Sequence, residues 1–214
     1  MIFMNNSTID VTLDRLGFTL NSYVETILVT RNSDSSYNAA PMGVIRTING
    51  LKVKPFNSTK TCFNLHNGNR ASINITSDPV IFLKTAFKEE LKEFFRVKDW
   101  VFDGIDATIM AKKLREVRFS DIRTSFTLDP VKISIYRKEP VVFSRGRSEA
   151  IEAVIRTTRV KAFHYESRDA EVEKLVEKLK ASFDVINRVS SKDSPEASVM
   201  RSIKRLLDEW GVDI

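Results

Sequence analysis

Residues 38–61 read NAAPMGVIRTINGLKVKPFNSTKT. Residues 42–48 and 51–56 alternate apolar and polar side chains around Asn49-Gly50. That pattern predicts a β-hairpin closed by a two-residue type I′ turn. A hydroxyl-rich run, Phe56-Asn57-Ser58-Thr59-Lys60-Thr61, follows at once. Held at a strand end, such a run presents hydroxyls, backbone N–H groups and a cation to a phosphate. Ser58, Thr59, Lys60 and Thr61 are therefore candidate anion ligands. A polar loop opening the next strand has the same spacing, so spacing alone leaves both readings standing.

Working outward, the first half reads as β. Residues 23–30 are β-branched and end in the polar segment 31–36. Residues 61–65 and 71–76 predict two more strands around a His66-Asn67-Gly68-Asn69 turn, with Cys62 inside the first. Asp78-Pro79 stops the second, because proline donates nothing to a ladder. Residues 82–95 predict a helix, Asp103-Gly104 a turn, and 108–119 and 132–136 further strands. Residues 117–128 fit more than one element. After 143 the pattern turns helical. Ser148 is read as the cap of a helix to about Phe163, and Asp169 as the cap of a second. The second helix carries Val172, Leu175, Val176, Leu179, Phe183 and Ile186 on one face at a 3.6-residue period. Ser194-Pro195-Glu196 opens a third, with proline at its first position, and Gly211 closes it. The expected organisation is a β-rich domain, 1–143, and a helical domain, 144–214.

Composition narrows the classes. The 214 residues are 42% hydrophobic, and no apolar run approaches the ~20 residues of a transmembrane helix. The N-terminus has no basic segment ahead of an apolar one, so no signal peptide is expected. One cysteine excludes an intrachain disulfide, and a cytoplasmic setting is expected. Two histidines and one cysteine make a poor metal set. No Gly-x-Ser-x-Gly, GxGxxG or GxxxxGK[ST] motif occurs, so serine-hydrolase, Rossmann and P-loop chemistry have no support. The net charge of +6 arises from 34 basic and 28 acidic residues in mixture. A nucleic-acid binder would more often segregate its charge. A basic pocket for a small phosphorylated ligand explains the excess equally well.

Two segments read as lining. Ala39-Ala40-Pro41-Met42-Gly43 combines small residues with a proline and a glycine, which lets a flat ring approach the backbone. Asn74-Ile75-Thr76 ends a strand with two side chains able to hydrogen-bond a heterocycle. A plain strand entry and a capped turn fit these segments as well.

In order along the chain stand Glu25-Thr26-Ile27 to Thr30, Ala39 to Val44, Pro55-Phe56-x-Ser58-Thr59-x-Thr61, Asn64-Leu65, and Asn74-Ile75-Thr76-x-Asp78-Pro79. Phe143-Ser144-Arg145-Gly146, Ile151-Glu152-Ala153 and Thr157-Thr158-Arg159 follow. This ordered set resembles the largely archaeal flavin-binding split-barrel family known as domain of unknown function 447. That family is related to flavin reductases and pyridoxamine-phosphate oxidases. The resemblance implies an antiparallel split β-barrel with a C-terminal helical subdomain, binding FMN at or near a homodimer interface. It implies that Ser58, Thr59 and Thr61 hold the phosphate, with Lys60 or a nearby arginine adding charge. Met42, Gly43, Asn74 and Thr76 would face the isoalloxazine or ribityl chain. Arg145 would take a phosphate or interface role, although the family often has Asn-Arg-Ala where this chain has Ser144-Arg145-Gly146.

The flavin would carry the redox chemistry, so the absence of a fixed acid, base or nucleophile motif fits. The expected function is an FMN-dependent redox protein of the reductase or oxidase-like class, with a small-molecule electron donor or acceptor. The alternative is a non-catalytic binding module or FMN carrier. Its basic residues Lys112, Lys113, Arg115, Arg118 and Arg123 would meet a protein or nucleic-acid partner.

Overall fold

The computed structural model describes residues 6–86, 97–98, 100–102, 104–137 and 140–214. It divides into two compact units, one within residues 1–20 and 24–143, the other formed by 21–23 and 144–214.

The first unit is a closed six-stranded barrel. Its strands are β1 (Tyr23–Arg31), β2 (Tyr37–Thr47), β3 (Gly50–Val53), β4 (Arg70–Ile75), β7 (Ala107–Arg118) and β8 (Thr124–Ile135). The order around the barrel is β1-β2-β3-β8-β7-β4. A separate two-stranded ribbon pairs β5 (Val97–Lys98) with β6 (Val101–Phe102). Inside the barrel, Leu28, Val44, Leu51, Ile73, Ile109, Phe126 and Leu128 are fully buried. Each such side chain contributes about 1.5–3 kcal/mol by leaving water. A second cluster on the outer side of β1 joins Ile27, Val29, Ala39 and Ile105 to Tyr37, Ile81, Phe82 and Trp100. Covered on both sides, Thr26 to Thr30 read as a continuous run rather than an alternation.

Helix α1 (Asn6–Arg15) precedes the barrel and was not anticipated from the sequence. Ile9 and Leu13 join the barrel core from it at helical spacing, and Leu16 does so just beyond its end. Arg46 on β2 ties α1 down through Asp10 at 3.0 Å and Asp14, and donates to the Phe18 carbonyl at 3.1 Å.

The hairpin at 38–56 forms, but its turn sits one residue earlier than Asn49-Gly50. Thr47 pairs with Gly50, leaving Ile48 and Asn49 as the loop. Neither has a positive φ, whereas Gly50 does, at +119°. The turn is therefore not type I′, which needs φ > 0 at both central residues. A Cβ at Gly50 would stand 2.6 Å from the Leu128 carbonyl oxygen, so close strand approach requires glycine as well.

The largest correction concerns residues 61–65, read as a strand. They belong to helix α2 (Lys60–Asn67). Its buried residues, Thr61, Cys62, Asn64 and Leu65, have a helical period, and Thr59 caps it. Helix α3 (Pro79–Ala86) begins at the expected break, and residues 87–95 of the predicted helix lie outside the described residues. Gly104 has φ +84°, as a turn glycine does, and Asp103 lies outside the described residues. Residues 117–128 resolve into the end of β7, a turn in which Phe119 and Ser120 donate to the Arg123 carbonyl, and the start of β8.

The second unit is three helices, α4 (Arg145–Tyr165), α5 (Asp169–Val189) and α6 (Pro195–Glu209). Ser144, not Ser148, caps α4 by accepting from Arg147 N, while Ser148 donates back to the Ser144 carbonyl. Arg168 stands at the N-cap of α5 without a side-chain cap, and Asp169 is its first helical residue. Ser194 caps α6 as expected. Gly146 has its role here, since a Cβ would collide with Ser190 Oγ at the end of α5. The stripe from Val172 to Ile186 packs with Ala153, Val160, Ile203 and Leu207.

Candidate functional site

Strand β2 supplies one wall of a cavity of about 450 Å³, made of Asn38, Ala40, Pro41, Met42 and Gly43. Lys54, Pro55 and Phe56, leaving β3, form the next wall. Thr59, Lys60 and Thr61 open α2 beside them, and Thr85, Ala86 and Arg123 are the other described lining residues. Three cations and no carboxylate lie among these residues. A cavity of about 500 Å³ in the helical unit is slightly larger, but Asp169, Glu173, Glu177 and Asp213 line it against Lys180 and His164. That charge balance disfavours an anionic ligand.

The turn feeding α2 is held from both sides. Asn57 N donates to the Ile122 carbonyl at 2.9 Å, Asn57 Nδ2 to the Asp121 carbonyl at 3.0 Å, and Thr124 Oγ1 to Asn57 Oδ1 at 2.8 Å. Arg123 donates from Nη1 to the Lys54 carbonyl at 2.6 Å, with its guanidinium 3.6 Å from the Phe56 ring centroid. Lys54 Nζ lies 3.8 Å from the Phe119 ring centroid. The tip of the β7–β8 hairpin thus sets the place of two of the three cations.

Helix α2 begins with one donor satisfied. Thr59 Oγ1 accepts from Cys62 N at 3.3 Å and donates to the Phe56 carbonyl at 2.7 Å. Among the described residues nothing accepts from the N–H groups of Lys60 and Thr61. A helix N-terminus with unpaired donors and local cations is a ready anion site. The hydroxyl run read as a strand end therefore reaches the same chemistry through a helix cap.

Behind this wall lies a buried polar chain. Asn38 Nδ2 donates to Thr61 Oγ1 at 3.0 Å, and Asn64 Nδ2 donates to Thr30 Oγ1 at 3.0 Å and Asn32 Oδ1 at 2.7 Å. These bonds lock α2 against β1 and β2.

Of the nine candidate residues, the structure brings Met42, Gly43, Thr59, Lys60 and Thr61 to one cavity. Ser58 is exposed in the adjoining turn and does not line it. Asn74 and Thr76 do not reach it. Asn74 is fully buried, with Nδ2 donating to Ser72 Oγ at 2.9 Å and the Trp100 carbonyl at 3.3 Å, and Oδ1 accepting from Thr108 at 2.8 Å. Thr76 Oγ1 accepts from Asp78 N, capping the turn. Arg145 opens α4 in the helical unit. Sequence reasoning did not place Asn38, Lys54, Phe56, Thr85 or Ala86 in the site. The one local signal was the basic and aromatic content of Lys54-Pro55-Phe56 beside the hydroxyl run.

Other side chains read for chemistry have structural partners. Burial pushes the Cys62 thiol up, against a Thr124 hydrogen bond, so it is a poor nucleophile. His66 Nδ1 lies 2.7 Å from Glu116. Lys113 donates to the Leu65 and His66 carbonyls, and Arg118 pairs with Asp121. These two and Arg123 are therefore not a free basic stripe. Among the described residues no cluster of three metal-ligating side chains exists, and no helix is long and apolar enough to cross a membrane.

A family model described as "Protein of unknown function (DUF447) N-terminal domain" matches residues 24–137. No curated protein matches the chain. Among solved structures, the chain is similar to the FMN-bound protein MM1853 from Methanosarcina mazei, which carries the same family model. The identity is 20%, over 90% of this chain and 98% of that one, with a TM-score of 0.49. The flavin reductase PheA2 is 14% identical over 66% of this chain and 94% of its own, at a TM-score of 0.45. The 2-nitrobenzoate 2-nitroreductase NbaA of Pseudomonas fluorescens is 11% identical over 62% and 73%, at 0.44.

Proposed function

This chain belongs to the DUF447 family, and on that premise we propose that its barrel unit binds FMN. The phosphate sits at the N-terminus of α2 and the ring system against the wall of residues 40–43. The observation that carries this reading is the N–H pair of Lys60 and Thr61, unpaired among the described residues and set in one cavity with Lys54, Lys60 and Arg123, with no carboxylate in the described lining. A phosphate dianion needs several donors and compensating charge, and each charge-assisted bond contributes about 1.5–3 kcal/mol. The small side chains at Ala40 and Gly43 suit close approach of a flat ring to the strand. The FMN-bound Methanosarcina mazei protein of the same family supports flavin over another phosphate ester. Family membership, rather than structural likeness, is that link.

Bound flavin supplies redox chemistry, and the protein's share is to hold and orient it. We extend the reading to a reductase or oxidase-like protein that exchanges electrons with a small molecule. A homodimer with the cavity near its interface belongs to the same proposal. It is supported by the exposed side chains of Phe63, Leu114, Phe119 and Ile122 on α2 and the β7–β8 hairpin. A monomer in solution at micromolar concentration would reject that part.

The deciding experiment is a fluorescence titration with FMN and riboflavin. FMN is expected to bind below about 100 μM, roughly −5.5 kcal/mol. Lys60→Ala/Arg123→Ala should weaken FMN at least tenfold and riboflavin hardly at all. Equal losses for both ligands would reject the phosphate assignment, and no FMN binding would reject the function.

A further inference from the structure

Three cations lie on three neighbouring strands, β1, β4 and β7. Arg70 on β4 pairs in register with Lys112 on β7. On its other side, β4 pairs with β1 through Ile27↔Asn74, Leu28↔Ile73 and Val29↔Ser72. Continued by two residues, that register sets Arg31 opposite Arg70. Directly opposed residues of antiparallel strands face the same side, on strands about 4.8 Å apart. Like charges in that relation repel and are disfavoured. Arg31, Arg70 and Lys112 are exposed, and among the described residues none makes an ion pair or a side-chain hydrogen bond. Asp129 follows in the row, opposite Lys112 on β8, without closing an ion pair with it.

Arg31 and Arg70 also line a cavity of about 300 Å³, together with Asn64, Gly68, Asn69 and Trp100. Among the described residues it shares no lining residue with the cavity at α2 and has no carboxylate in its lining. Trp100 holds a φ of +73°, a costly backbone for a bulky residue. Its carbonyl accepts from Ser72 Oγ at 2.6 Å and Asn74 Nδ2 at 3.3 Å, and its ring meets Tyr37 edge-on at 5.1 Å. Those contacts hold the strained residue beside the two guanidinium groups. Strain kept in place by its surroundings is common at ligand sites.

We propose that Arg31 and Arg70, flanked by Lys112 and walled by Trp100, form a second anion site for the phosphate or pyrophosphate group of a small phosphorylated molecule. Guanidinium forks match phosphate oxygens two at a time, and a multivalent anion between them turns repulsion into attraction. A small molecule fits better than a nucleic acid. The cavity is small, about 300 Å³, and the nearby Lys113, Arg118 and Arg123 are held by internal partners. The proposal does not depend on flavin binding.

The test is calorimetric titration of the full chain at low salt with sodium pyrophosphate and with AMP. Lys60→Ala/Arg123→Ala serves as the background, so that the α2 cavity does not contribute. Pyrophosphate binding should persist there and fall at least tenfold when Arg31→Gln/Arg70→Gln is added. AMP and pyrophosphate distinguish a nucleotide from a bare diphosphate source, and either one binding through these arginines supports the site. Arg70→Gln alone should raise the melting temperature without ligand and lose the rise that pyrophosphate induces. Pyrophosphate affinity within twofold of background after Arg31→Gln/Arg70→Gln overturns the site. So does a single-stranded oligonucleotide that binds through the same arginines more tightly than either small anion.

Discussion

The guanidinium of Arg123 lies 3.6 Å from the centroid of the Phe56 ring. Arg123 comes from the turn between β7 and β8, and Phe56 from the turn that opens α2. An isolated β-bridge joins the two residues. Stacking on the ring and donating to the Lys54 carbonyl use one face and one nitrogen of the guanidinium, leaving further N–H groups for a ligand.

Replacing Arg123 by alanine should therefore weaken FMN by about tenfold or more, the equivalent of one charge-assisted bond. Arg123→Lys should recover only part of this, because an ammonium lacks the planar stack. Quenching of flavin fluorescence measures both. FMN affinity unchanged in Arg123→Ala would remove the residue from the site.

Thr59→Ala removes the cap of α2 while leaving the cations in place. Its expected cost is about 1 kcal/mol, or roughly 2–4 °C in melting temperature for a unit of this size. FMN affinity should fall with it, since the cap orients the Lys60 and Thr61 N–H groups. Thr59→Ser keeps the hydroxyl and should restore both properties. A melting curve for each variant, with and without FMN, decides.

Asn74 offers the opposite test. Its side chain satisfies Ser72, Thr108 and the Trp100 carbonyl inside the protein. Asn74→Ala leaves buried polar groups unpaired, at about 1–3 kcal/mol each. Urea denaturation should show that loss, while FMN affinity of the folded protein stays within about twofold. A selective loss of FMN binding at full stability would return Asn74 to the site.

Glu116 carries a pH signature. Burial acts to raise its carboxyl pKa, but the His66 hydrogen bond and the charges of His66 and Lys113 outweigh it and hold the group below its ordinary value of 4.5. A folded pKa below the unfolded one stabilises above 4.5, and the stabilisation is lost as pH falls through the folded value. A pair this exposed contributes about 0.2–1 kcal/mol. The melting-temperature gap between wild type and Glu116→Gln should therefore narrow from about pH 6 to pH 3. A gap constant over that range would show that the pair adds nothing.

Much of the fold was legible from local pattern. The strands at 23–30 and 71–76 announce themselves by β-branched content and bounding turn residues, and the hairpin around residue 49 by alternation and turn chemistry. The helices after 143 do so by period and by the Ser194-Pro195 start. The misread elements share a cause. Residues 61–65 contain Thr, Cys and Phe, which favour strands locally, yet Thr61, Cys62, Asn64 and Leu65 must all be buried against the barrel. An eight-residue helix owes its stability to such packing rather than to propensity. The three-residue spacing of Cys62 and Leu65 behind Thr59, which caps the helix, was the missed signal. Ser148 lost to Ser144 for a related reason. Gly146, a poor helix former, is accepted inside α4 because Ser190 leaves no room for a Cβ.

The site divides in the same way. By itself the sequence determined that a β-rich chain carries a hydroxyl-and-lysine run just after a hairpin, next to small residues on the preceding strand. These are contiguous in the chain, so local reading can join them. Only the tertiary structure decided that Arg123, 69 residues from Lys54, closes the cavity, and that Asn74 is sealed away from it. The same holds for Arg70, which pairs with Lys112 and lines one cavity with Arg31. Each of those facts follows from which strands become neighbours when the barrel closes, and strand register is a property of long-range pairing that no local window of sequence contains.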